Sequence, residues 1–191
     1  DRVIAIRPDY ARAYVNKAFL LLLLGEYEQG WRLHEWRLKT DAARAAAPPP
    51  ALPRWNGQQP LAGKTLLLTS EQGRGDLFQF VRYVPMVEAK GARVVLRVPA
   101  SVHGLISTLN SRAAVIGMDT PLAPCDGYCP LMSLPLAFKT RVDTMPAEVP
   151  YLQADPQRRE YWRRTLGRRI RPRIGLTWSG NPQHVNDRNR S

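Results

Sequence analysis

The sequence predicts an α + α/β organisation: a helical hairpin first, then a parallel α/β domain, then the opening of a second α/β unit. Three observations carry this. Residues 9–39 repeat apolar side chains at helical spacing around a central Gly25. A Pro- and Ala-rich stretch comes next, ending in Pro48-Pro49-Pro50 and Pro53. From Lys64 onward, short apolar β-branched runs alternate with helical ones, as in a parallel sheet with crossover helices.

Residues 1–40 come first. Pro8 closes a preceding helix, and the first residue, Asp1, falls inside that helical texture. Tyr14 and Ala18 lie four apart on one face of the next helix. Gly25 makes the turn, Tyr27 packs back, and Gly30 is small where two helices approach. Trp31 and Trp36 are expected to pack rather than stack on a ligand. This order resembles the tetratricopeptide repeat, a helical hairpin with a period of about 34 residues. His34 and Arg37 depart from the family pattern, which has a large apolar and a small residue there. The resemblance therefore implies the last repeat of an array, adapted to meet the next domain, with the repeats holding a protein partner.

Residues 41–63 read as a stiff, extended linker, with Trp55 tucking it against a neighbour. Residues 64–155 form the α/β domain. Thr65–Thr69 and Ser70 suit a strand buried on both faces. Gly73-Arg74-Gly75-Asp76 is a turn whose glycines are expected to let the backbone bend sharply and approach a ligand. Residues 77–90 are expected to be one helix kinked at Pro85 and ended by Gly91. A second strand is expected over 93–98, a helix over 102–109 and a third strand over 114–117. A strand at 128–131 precedes a short helix over 133–138 broken by Pro135. Residues 156–191 are expected to hold a basic helix over 156–169, with Tyr161 and Trp162 turned inward, and a strand over 173–178. The turn Ser179-Gly180-Asn181-Pro182 comes after it. With no closing element behind that strand, both ends of the chain read as cut.

The strand–turn–helix pattern is Rossmann-like, and such sheets bind ligands at the carboxyl ends of their strands. The turn lacks the third glycine of a dinucleotide fingerprint and the Gly-Lys-Ser/Thr of a P-loop. Asp76 has two readings. As a helix cap it is worth about 1 kcal/mol. As a carboxylate facing the ligand crevice it is an anion at a helix N terminus, fit to take a proton from a hydroxyl.

Glu71 through Asp76, followed by Leu77-Phe78-Gln79-Phe80, resembles the heptosyltransferases of glycosyltransferase family 9. The resemblance implies a bacterial, metal-independent, inverting sugar transferase of the GT-B fold, with its active site between two Rossmann-like domains. It puts the catalytic base on Asp76. With the base there, the acceptor is expected over Gly73, Arg74 and Gly75. The resemblance puts donor-diphosphate contacts on Ser179, Gly180 and Asn181; read from residue chemistry alone, Arg188 and Arg190 suit bidentate contacts to the same diphosphate. No cofactor or metal is implied, since the nucleotide sugar is the substrate, and a glycan or protein is the acceptor. The alternative is a repeat scaffold carrying a degenerate transferase-like domain.

The net charge is +12, from 28 Lys and Arg against 16 Asp and Glu, which favours anionic partners. Much of the excess lies between Arg158 and Arg173. A solvated helix face is the first reading and peripheral contact with an acidic membrane the second. Nucleic acid ranks last, because no binding module accompanies the charge. Cys125 and Cys129 are too few for a disulfide scaffold, and no second pair completes a zinc site. The histidines His34, His103 and His184 are scattered. The expected location is the cytoplasm, with the inner membrane as a peripheral surface.

Overall fold

A computed structural model describes residues 1–40, 51–71, 73–168, 170–176 and 189. The chain forms two compact units, Asp1–Gln153 and Ala154–Ser191.

The first unit opens with three helices: α1 (Arg2–Ile6), α2 (Ala11–Leu23) and α3 (Tyr27–His34), the last running into a 3-10 turn over Glu35–Lys39. Gly25, at φ 85°, makes the bend between α2 and α3 that a side chain would strain. At Gly30 the two helices nearly touch: a Cβ there would lie 2.7 Å from Leu22 Cδ2. Ala18 is fully buried beneath them. Tyr14 stacks flat on Trp36 with ring centroids 3.8 Å apart, and its hydroxyl donates to the Pro8 carbonyl. Trp31 is buried in the common core and meets Phe80 edge-on at 6.4 Å.

The α/β region contains a four-stranded, all-parallel sheet in the order β3-β2-β1-β4. Its strands are β1 (Thr65–Thr69), β2 (Arg93–Val98), β3 (Ala114–Gly117) and β4 (Gly127–Pro130). β1 is central, and its three leucines are all buried, as its unbroken apolar run requires. Between β1 and β2 run α4 (Arg74–Phe80) and α5 (Val84–Ala89), joined by a 3-10 turn over Val81–Tyr83. The expected single kinked helix is thus two helices. Pro85 has no N–H to give the Val81 carbonyl and its ring crowds that turn, so it sits at the start of α5. Helix α6 (Ala100–Ile106) links β2 to β3. Pro135 likewise opens the short α7 (Leu134–Ala137) rather than breaking it.

Part of the expected linker is built into the sheet. Trp55 N donates to Tyr128 O at 2.8 Å and Tyr128 N to Pro53 O at 3.0 Å, so residues 53–55 cover the outer edge of β4. Gly127 is required by this approach, since a Cβ would stand 2.9 Å from the Pro53 carbonyl oxygen. Trp55 is buried and its indole N–H donates to Gln59 O.

The second unit contains α8 (Pro156–Leu166), capped by the Asp155 carboxylate, which accepts from Arg158 N. Tyr161 and Trp162 are exposed and pack edge-on to each other, not inward as expected. The helix offers them no apolar stripe to join, because arginines interleave with them along it. Of the expected strand over 173–178, residues 173–176 are irregular, with Ile174 and Leu176 exposed. No strand among the described residues pairs with them, and an unpaired strand leaves its backbone groups unsatisfied. Among the described residues, no helix is long and apolar enough to cross a membrane.

Candidate functional site

The chain runs from β1 to β2 and β3 on one side, then returns to place β4 on the other side of β1. The order of the sheet therefore reverses at β1, and the crevice past its carboxyl end is where open α/β sheets take ligands. The Gly73–Asp76 turn lies just beyond that end.

Gly73 is the N-cap of α4, with φ −62° and ψ 163°, and Asp76 is the third residue inside the helix. Asp76 Oδ2 accepts from Gly73 N at 3.1 Å. This is half of a capping box, since Gly73 has no side chain with which to return the bond. Asp76 thus reaches back to the cap from inside the helix and is not itself the cap residue. Its Oδ1 has no partner among the described residues, and the side chain is half-buried. Neither glycine has a positive φ, which corrects the expectation that they serve a sharp bend. What they provide is bare surface: a Cβ on Gly75 would meet nothing within 4 Å. Arg74 and both glycines are exposed. The residues assigned to the acceptor side are therefore brought together. Ser179, Gly180, Asn181, Arg188 and Arg190, assigned to the donor side, lie outside the described residues, as does His184.

Beside the turn is a buried polar cluster that the sequence pattern did not reveal. Glu71 comes after β1 and accepts a side-on fork from Arg37, Nε to Oε1 at 3.1 Å and Nη2 to Oε2 at 3.0 Å. Glu71 Oε2 also accepts from Met132 N, in the segment after β4. Arg37 Nη1 donates to Glu35 Oε1 at 2.7 Å and to His34 O, while Nη2 donates to Ser133 Oγ at 2.7 Å. Arg54 closes the ring by donating to Glu35 and to the same Ser133 hydroxyl. Arg37 is only 3 % exposed.

The electrostatics arise from burial and pairing. Burial opposes the charge on Arg37, but the Glu71 and Glu35 carboxylates outweigh it and push its pKa upward. Burial likewise opposes ionised Glu35, and Arg37 and Arg54 overcome it, so its pKa falls. His34 has no such counterion in excess. Burial, then the neighbouring Arg37 charge, lower it to about 4, so it sits in the cluster as a neutral ring. One signal pointed here: Arg37 is a large charged residue where the sequence reading expected a small one.

The other candidates stay apart. Burial pushes the Cys129 thiol up to about 12, and it donates to Pro130 O. Cys125 contacts Ala123 O instead. His103 pairs with the Val115 carbonyl. A cavity of about 910 Å³ lies between α3 and α7 and is lined by Trp31, Arg32, Asn56 and Lys139, away from Asp76. The glycine turn faces open surface.

No protein-family model matches the chain, and no solved structure matches it. Protein FlbA of Caulobacter vibrioides is 29% identical over 192 residues, which cover 89% of this chain and 32% of FlbA. The chain therefore spans about a third of that relative's length.

Proposed function

We propose that the full protein transfers a sugar from a nucleotide sugar to a glycan or protein hydroxyl, by inversion and without a metal, with Asp76 as general base. The observation that carries this is the Asp76 carboxylate: one oxygen is held by Gly73 N, the other is unpartnered among the described residues, and both stand at the point where the sheet order reverses. In the step proposed, the acceptor hydroxyl gives its proton to Oδ1 as its oxygen bonds to the anomeric carbon. The bond from that carbon to the phosphate oxygen breaks, and the nucleoside diphosphate leaves with the electron pair. Exposed Gly73, Arg74 and Gly75 give the acceptor an accessible surface, with bare backbone at the two glycines. The donor side is assigned to Ser179, Gly180, Asn181, Arg188 and Arg190. In this reading the α/β region is the first half of a GT-B enzyme, and α2 and α3 are a tetratricopeptide-type hairpin that binds a protein partner. The location proposed is the cytoplasm, with α8 as the surface for peripheral contact with acidic lipid.

The test is transfer by the full-length protein against a panel of nucleotide sugars. A general base contributes about 10²–10⁴-fold to rate. Asp76→Asn keeps the shape and can still accept from Gly73 N, so turnover should fall by that factor at an unchanged melting temperature. Equal turnover of the two proteins removes the base assignment.

A second reading has its own observation. The Arg37 guanidinium lies between the segments that leave β1 and β4, partly filling the crevice that a doubly wound sheet uses for ligands. That arrangement favours a scaffold with a degenerate transferase-like domain. Wild type that transfers no sugar, yet still binds a partner through the hairpin, would select it.

A further inference from the structure

The Arg37 guanidinium carries five N–H donors, and each has one acceptor. Nε and one Nη2 hydrogen go to Glu71, the other Nη2 hydrogen to Ser133, and the Nη1 pair to Glu35 and His34 O. The acceptors come from three places: the helical hairpin, the end of β1 and the segment after β4. Surface ion pairs rarely satisfy a guanidinium completely, because water competes for it. Here the side chain is buried, and its geometry is determined by the fork.

Glu71 is the only acceptor of this set on the chain leading into the glycine turn. It is separated from Gly73 by one residue, so their Cα atoms can be no more than about 7 Å apart. Holding Glu71 therefore confines the start of the turn to that reach. The shape of the turn in turn decides two hydrogen bonds: Asp76 Oδ2 with Gly73 N, and Leu77 N with Gly73 O at 3.2 Å.

We propose that Arg37 is a positioning residue for the Gly73–Asp76 turn, acting through Glu71, so that the helical hairpin is a working part of the site. Its effect on chemistry rests on the reading of Asp76 as base; its effect on the turn does not. A protein partner that strains the hairpin will alter the turn through this fork, with no contact to the turn itself.

The experiment is native-state hydrogen exchange on the full chain, comparing wild type with Arg37→Lys and Glu71→Gln. Lysine keeps the charge but cannot fork. Glutamine keeps the shape and the bond from Met132 N but loses the charge. In both variants the Gly73 and Leu77 amides should exchange about tenfold faster or more, the worth of one charge-assisted hydrogen bond. The Ser107 amide, which donates to His103 O at 2.9 Å at the exposed end of α6 and opens by local fluctuation, should keep its rate. Should Arg37→Lys fail to fold, Glu71→Gln decides alone. Transfer by the same proteins should show kcat reduced and KM unchanged. Unchanged exchange at Gly73 and Leu77, or equal acceleration at Ser107, overturns the proposal by reducing Arg37 to general support. Faster exchange at the turn alongside equal turnover of wild type and Asp76→Asn would sustain the positioning role and discard the base.

Discussion

Arginine is used in two opposite ways in this chain. In the first unit, Arg37 is buried, fully hydrogen-bonded, and shared among Glu71, Glu35 and Ser133. In the second unit, Arg163 and Arg164 both reach the half-exposed Glu160 at 2.7 Å, and their hydrogen bonds hold its carboxyl down to about 2. The distances are alike, and the energetics are not. An exposed pair exchanges bonds to water for bonds to its partner and gains little. A buried pair has no water to return to, so losing one partner leaves the other charged and stranded. A short distance therefore says little about importance until burial is known. The dense arginine helix α8, the most conspicuous charge feature of the sequence, is expected to matter less to folding than one arginine the composition hides.

Four substitutions sharpen this contrast, beginning with the largest effect. Arg37→Met should strand Glu71 and Glu35 and cost about 3–5 kcal/mol in denaturant unfolding. A loss below about 1 kcal/mol would place the cluster with the surface pairs. His34 supplies a pH signature next. Its pKa drops from 6.5 to about 4 on folding, so the unfolded chain binds a proton that the folded one refuses. The stability from the neutral ring is present above pH 6.5 and is lost as pH falls from 6.5 to about 4. The loss is on the order of 3 kcal/mol. His34→Gln should flatten that window, and an unchanged pH profile would show that the ring is not held neutral.

Gly30 tests the apolar side of the same hairpin. Gly30→Leu must displace Leu22, whose Cδ2 is 2.7 Å from the added Cβ, and should cost about 1–3 kcal/mol by overpacking. An unchanged thermal midpoint would deny the close approach of α2 and α3. The smallest effect belongs to α8. Glu160→Gln should leave the midpoint unmoved. Any retention on acidic liposomes should disappear at high salt, because exposed charges are screened beyond about 10 Å at 0.1 M. Absence of retention even at low salt leaves α8 a solvated face.

The residues of the hairpin and sheet announced themselves because local rules govern them. Gly25 and Gly30 were legible from spacing, since only glycine fits a left-handed turn or a near-contact of helices. The strand Thr65–Thr69 was legible from its apolar run, and Ala114–Gly117 appears at the bounds expected for it. The Gly73–Asp76 turn was legible as a candidate site because it comes directly after a buried strand. The roles of its glycines were not, because φ is not written in residue type: both take ordinary helical or extended backbone.

Arg37, Glu71, Glu35, Arg54 and Ser133 could not be joined by any local rule. They come from four separate segments and lie as far as 98 residues apart in sequence, between Glu35 and Ser133. A lone arginine in a helical hairpin looks like surface, and a glutamate after a strand looks like a loop residue. By itself the sequence determined the two helices of the hairpin and the four strands of the sheet, and that a carboxylate lies beyond the first strand at a glycine turn. Those outcomes depend on period, backbone sterics and capping, all of which act over a few residues. The packing of the hairpin against the ends of β1 and β4 decided that Arg37 is buried, that His34 is neutral, and that Glu71 beside the turn is paired. Desolvation is a property of the surroundings, and the surroundings of a side chain exist only once distant segments have met.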